Sequence, residues 1–225
     1  MKNLFLSALL LVCTIGMAQT MPKSKSSYKP ISYGIKAGLN LSRLTDFGNS
    51  TGTTSTRNSI NVGAYMKYKF SDVFAFQPEL LYTTQGMILN QVNSNANYKL
   101  TYKLDYIAIP LMIKFYPAKF YNLEIGPQVA FNIKKDVEVK GDGQTVTLDL
   151  DDLFQMNGAD AKTNIVDVAM NIGTSYEFSN GINFNFRYSY GLTKVFTGSD
   201  VVDSNGKPEK VKNSVLSFGL GYTFQ

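Results

Sequence analysis

Histidine and tryptophan are absent from the 225 residues, cysteine occurs once, and charged side chains make up only 17%. Each shortage removes a class of chemistry. Without histidine, no Ser–His or Cys–His pair can be assembled to activate a nucleophile. The single cysteine, Cys13, lies in the first apolar stretch. A chain processed beyond it has no thiol and no disulfide, and a zinc site would lack its commonest ligands. Glycine-rich pieces such as Gly38-Leu39-Asn40 are followed by no Gly-Lys-Ser/Thr, so they do not read as phosphate cradles. The net charge of +5 is scattered, with no basic cluster of the kind that tracks nucleic acid. Asp149, Asp151 and Asp152, flanked by Asp142 and Asp160, match no EF-hand spacing and read as a solvated acidic loop. No apolar run reaches the roughly 20 residues of a membrane-spanning helix. The expectation is a non-enzymatic chain with no catalytic residue, cofactor, metal ligand or nucleic-acid partner.

What the chain has in abundance is alternation. The stretch Val215–Phe224 sets Leu216, Phe218, Leu220, Tyr222 and Phe224 on one face and small or polar residues on the other, the period of a β-strand. About ten residues is the length of a tilted strand crossing a bilayer. Seven earlier stretches repeat the comb: 31–41, 60–70, 74–83, 100–115, 121–133, 166–178 and 182–192. Between them, polar loops at 45–59, 85–97, 135–163 and 197–210 alternate with tight turns at Ser71-Asp72, Tyr116–Lys119 and Ser179-Asn180-Gly181. Eight strands with short turns at one rim and long loops at the other predict an antiparallel up-and-down transmembrane β-barrel over residues 31–225. Aromatics cluster toward the short-turn ends, where an interfacial girdle belongs: Tyr68, Phe70, Phe74, Phe76, Phe115, Tyr121, Tyr176, Phe178, Phe184, Tyr222 and Phe224.

Volume decides which face is outside. Roughly 40 bulky apolar side chains cannot fit inside eight strands, whose interior only just holds ordinary side chains. The apolar face therefore points to lipid, and the lumen receives Lys36, Lys67, Lys69, Glu79, Lys114, Glu124, Asp167, Glu177 and Arg187. Charges in so narrow a space must pair. Lys36, Glu79, Lys114, Glu124 and Arg187 are the candidates for a central ion-pair network. Two readings stay open, a rigid filling of the barrel and a gate that parts to pass small solutes. Pro78, Pro110 and Pro127 each remove a ladder donor and are expected at bulges or bends.

Residues 1–18 read as a signal peptide, with Lys2 in the positive region, Leu4–Val12 as the apolar region and cleavage after about Ala18. Residues 19–30 read as a flexible lead-in.

The opening Tyr33-Gly34-Ile35-Lys36-Ala37-Gly38-Leu39-Asn40 resembles that of the small PorT-like "porin family" outer-membrane barrels. So do Gln77-Pro78-Glu79-Leu80-Leu81-Tyr82, the run Leu104-Asp105-Tyr106-Ile107-Ala108-Ile109-Pro110-Leu111 leading to Lys114, and Gly126-Pro127. The final comb Phe218, Leu220, Tyr222, Phe224 is similar to the closing strand that serves such barrels as an assembly signal. The resemblance implies an outer-membrane location, with outer-membrane lipid and the barrel-assembly machinery as partners. The PorT member is tied to a protein-secretion machine, which implies an accessory secretion role. The residues leave two other functions open: a binding barrel that meets a protein partner through its extracellular loops, and a small-solute pore.

Overall fold

The computed structural model describes residues 30–45, 52–93, 96–141, 144–156, 158–198 and 210–224. The expected signal peptide with Cys13, the expected lead-in to residue 29, Asp142, residues 199–209 of the loop expected at 197–210, and Gln225 lie outside the described residues. In chain order the elements are β1 (Ile31–Thr45), β2 (Gly52–Lys69), β3 (Phe74–Asn93), β4 (Ala96–Ala118), β5 (Tyr121–Gly141) and β6 (Gln144–Asp149). The helix α1 (Leu150–Met156) follows, then β7 (Lys162–Thr163), β8 (Val166–Glu177), β9 (Ile182–Gly191), β10 (Phe196–Thr197) and β11 (Lys212–Phe224).

The barrel is β1, β2, β3, β4, β5, β8, β9 and β11. Each pairs antiparallel with the next, and β11 returns to β1, with Leu39 opposite Phe218 and Ala37 opposite Leu220. Every barrel strand thus has two neighbours. Hydrocarbon offers no hydrogen-bond partner to a free strand edge, so closure is what makes this sheet stable in a bilayer. Alternation places the apolar comb outside: Leu39 is 63% exposed, whereas the next residue, Asn40, is 1% exposed. At the short-turn rim the rings touch one another in series. Phe70 lies 6.2 Å from Phe74, Phe74 5.3 Å from Phe115, Tyr176 4.9 Å from Phe178 and Phe178 5.9 Å from Phe184. The turn into β9 depends on Gly181, whose φ of 92° is left-handed.

Three sequence expectations need correction. The stretches 45–59, 85–97 and 135–163 were expected as loops, yet β2 begins at Gly52, β3 runs to Asn93, β4 starts at Ala96 and β5 continues to Gly141 before turning into β6. The strands rise well past the apolar band, and there the pattern inverts. Met87, Leu89, Leu104 and Val137 point inward and are buried, while Lys103 and Lys134 point outward. Outside this upper part lies water, not lipid, so its apolar side turns in.

The prolines do not mark bulges. The β3–β4 ladder skips two pairs beside Pro78 and Pro110 and resumes in the same register, from Pro78 opposite Leu111 to Leu81 opposite Ala108. Pro127 pairs in register with Met170. The register shifts lie elsewhere, between Thr56 and Asn61, between Asp105 and Tyr106, and between Phe115 and Ala118. A missing N–H removes one rung, but the chain on either side stays pinned by its other rungs.

Candidate functional site

The lumen is the site. Seven of the eight barrel strands each deliver one charged residue to a lumenal network, and β11 delivers none: Lys36, Lys67, Glu79, Lys114, Glu124, Glu177 and Arg187. Strand register does the placing. Lys114 stands directly opposite Glu124 on the neighbouring strand, and Glu124 is opposite Gly173, which in turn is opposite Arg187. Gly173 leaves the room this needs. A Cβ there would sit 3.1 Å from Glu124 Oε1 and 2.5 Å from the Phe186 carbonyl.

The charges form one alternating chain. Lys36 Nζ donates to Glu79 Oε2 at 3.1 Å. Arg187 donates through Nη1 and Nη2 to both oxygens of Glu79, at 2.9 and 2.8 Å, and through Nε to Glu124 Oε1 at 2.8 Å. This is the bidentate geometry that suits guanidinium to carboxylate. Lys114 Nζ lies 3.2 Å from Glu124 Oε2 and 3.4 Å from Glu177 Oε1, and Lys67 Nζ donates to Glu177 Oε2 at 2.6 Å. Gln77, Tyr116 and Asn122 donate to remaining carboxylate lone pairs. Buried charges are tolerable when paired and hydrogen-bonded in this way.

All five residues expected in the network, Lys36, Glu79, Lys114, Glu124 and Arg187, are thus brought together. Lys67 and Glu177 extend it, and only the strand register reveals that they meet. Two expected lumenal charges lie apart. Lys69 sits 4.6 Å over the ring of Tyr116. Asp167 is buried farther up, accepting from Thr193 Oγ1 and Asn213 Nδ2 at 2.6 Å each.

Above the charges comes a layer of amides and hydroxyls. Asn40 donates to Thr83 at 2.9 Å and accepts from Asn61 at 2.6 Å and Ser217 at 2.8 Å. Higher still, an apolar cluster fills the mouth: Met87, Leu89, Leu104, Val137, Val195 and Phe196, closed over by Leu150 and Phe154 of α1. Phe154 and Phe196 meet edge to face at 5.8 Å. Sequence reasoning missed this cap. Its signal was present in the inward parity of Met87-x-Leu89 and Leu104-x-Tyr106.

The acidic loop is also structured. Asp149 accepts from the Asp151 amide at 2.9 Å and caps α1. Asp151 accepts from the Thr163 amide at 2.8 Å and pairs with Lys135. Burial alone would raise the Asp151 carboxyl. The Lys135 ammonium and the Thr163 amide outweigh it and hold the carboxyl below its ordinary value. A depressed carboxyl contributes stability above its unfolded value and loses it as pH falls through the folded one. Asp151→Ala should therefore loosen α1 at neutral pH, read as faster protease nicking of the loop on intact cells. Wild type should approach that behaviour only in acid.

A closed antiparallel barrel with lipid-facing apolar strands and a charged lumen defines an integral outer-membrane β-barrel. The chain belongs to the family of the outer membrane protein beta-barrel domain, whose model matches residues 17–197. The fold is similar to that of Ail, the attachment invasion locus protein of Yersinia pestis, with 14% identity over 86% of this chain and 98% of that one and a TM-score of 0.45. It is similar to Neisserial surface protein A, with 14% identity over 85% and 97% and a TM-score of 0.45. It is also similar to OprG of Pseudomonas aeruginosa, with 14% identity over 86% and 96% and a TM-score of 0.42. No curated protein sequence matches the chain.

Proposed function

We propose that this protein is a non-enzymatic outer-membrane barrel of the PorT-like porin family, with a closed lumen, that acts as a scaffold or binding surface through its extracellular face. The observation that carries the reading is the uninterrupted chain of charge pairs from Lys36 through Arg187 to Lys67. Eight strands leave little interior, and these side chains with the apolar cap occupy it. The work is left to the raised hairpins of β2 to β6 and to α1. Before assembly, the signal peptide is removed after about Ala18. The outward comb of Phe218, Leu220, Tyr222 and Phe224 is what the assembly machinery reads.

Planar-bilayer recording separates this from a small-solute pore. The purified barrel should give no steady single-channel current, and a stable current at neutral pH would overturn the closed-lumen reading. Adding bulk at Gly126 is a poor control, because a Cβ there would lie 2.0 Å from the Leu111 carbonyl and disturb the strand itself. Cross-linking from α1 in intact cells, followed by identification of the captured chain, tests the binding role. Capture of a secretion component would favour the accessory role that the PorT resemblance implies.

A further inference from the structure

Between the charged layer and the apolar cap the lumen holds a cavity of about 30 Å³, lined on its polar side by Lys36, Arg187, Asn61, Gln85, Gln128 and Asn185. That is room for one or two waters or one small ion. Its walls are short of negative charge and rich in unused donors.

The charge count comes first. The network contains four cations, Lys36, Lys67, Lys114 and Arg187, against three carboxylates, Glu79, Glu124 and Glu177. The further lumenal carboxylate, Asp167, stands opposite Ala130, two residues along β5 from Gln128 and so roughly 7 Å at the rise of a strand, and it accepts from Thr193 and Asn213, neither of them a cation. An uncompensated charge inside a narrow lumen walled by hydrocarbon is costly.

The donors come second. An ammonium has three N–H groups. Among the described residues Lys36 Nζ has one acceptor, Glu79. Gln85 is buried and its Nε2 donates to nothing among the described residues, while its sealed Oε1 is an acceptor that would face away from an anion or accept a hydrogen bond from a water. Gln128 uses only its oxygen, accepting from Asn171, and Asn185 uses neither end of its amide. Water could satisfy these donors but would leave the excess charge in place. An anion answers both.

We propose that this cavity binds one monovalent anion of halide size, seated against Lys36 Nζ and the facing amides. The inference goes beyond the closed-lumen reading and holds whether or not the lumen conducts.

Crystals of the processed protein, folded and grown in sodium bromide, test it. X-ray data at the bromine absorption edge should show an anomalous peak in the lumen in contact with Lys36 Nζ. The thermal midpoint in detergent should also rise with bromide or chloride relative to gluconate at equal ionic strength. Gln128→Glu keeps the acceptor for Asn171 and places a fixed negative charge on the cavity wall. In that variant both the peak and the halide dependence should be lost. Ordered water with no anomalous peak in the wild-type lumen would overturn the proposal, whatever the current recordings show. So would a Gln128→Glu barrel that keeps the peak. If Gln128→Glu does not fold, the wild-type map still decides.

Discussion

Arg187→Met should destabilise the barrel by about 3–5 kcal/mol, the cost of leaving buried charge without its partner. Among the described residues Arg187 is the one group that touches both Glu79 and Glu124, making two bonds to the first and one to the second. Once it is gone, Glu79 keeps Lys36 and Gln77, and Glu124 keeps Lys114. The two carboxylates then face each other across the space the guanidinium filled. Methionine restores volume but no charge, so the loss measures electrostatics and not a cavity. Arg187→Lys should fall between the two, because a point charge cannot serve two carboxylates in the fork geometry of guanidinium. The double change Arg187→Met, Glu124→Gln should recover most of the loss, since it removes one charge of each sign and leaves Lys36 on Glu79 and both Lys114 and Lys67 on Glu177, and a buried pair is often no more stable than neutral packing. Urea unfolding in detergent micelles, followed by heat-modifiable gel mobility, gives these differences. A single Arg187→Met that stays within about 0.5 kcal/mol of wild type, the range of ordinary surface changes, would show that the lumen is wet enough to solvate both carboxylates.

The same network shows what a sequence can and cannot convey. Parity along each strand suffices to place Lys36, Glu79, Lys114, Glu124 and Arg187 inside, because one comb of greasy residues fixes the other comb as lumen. Which of them touch is a matter of height in the barrel, and height depends on register between strands far apart in the chain. Lys67 and Glu177 are separated by 110 residues and come from opposite sides of the ring, and their 2.6 Å contact has no local signature. The strand ends were misread for a different reason. A comb of outward apolar residues is a sound criterion only while lipid lies outside. Above the outer interface the solvent becomes water, the apolar residues of β3, β4 and β5 change sides, and the outward face reads as polar loop. Bulges help the change of side. The register shift between Asp105 and Tyr106 sets Ile133 outward and Lys134 just beyond it, so that Val137 can point in. The prolines misled by the same logic. Pro78, Pro110 and Pro127 break local propensity, but closure on both sides holds their strands straight through the missing rungs.

That two-solvent account makes the second large prediction. Leu39→Arg should cost about 2–4 kcal/mol in a phospholipid bilayer, the penalty for a cation on the lipid face near the membrane midplane. Leu39 lies in the middle of β1, opposite Phe218, with its side chain projecting from the ring. Val146→Arg is the matched control. Val146 is also exposed, but it belongs to β6 above the apolar band, where water lies outside, and its change should stay within about 0.5 kcal/mol. Leu89→Arg completes the set. Leu89 is buried in the cap at the lumen mouth, so an unpaired charge there should be costly even though its strand stands in water at that height. Equilibrium unfolding of the three variants in lipid vesicles gives the comparison. If apolar residues faced inward throughout, as in a soluble barrel, Leu39 would be a core position and its variant would fail in detergent and bilayer alike. The lipid-facing reading instead requires the Leu39→Arg penalty to shrink when short-chain detergent, which admits water, replaces the bilayer, while the Leu89→Arg penalty stays. Equal penalties at Leu39 and Val146 would mean that no hydrocarbon surrounds the ring.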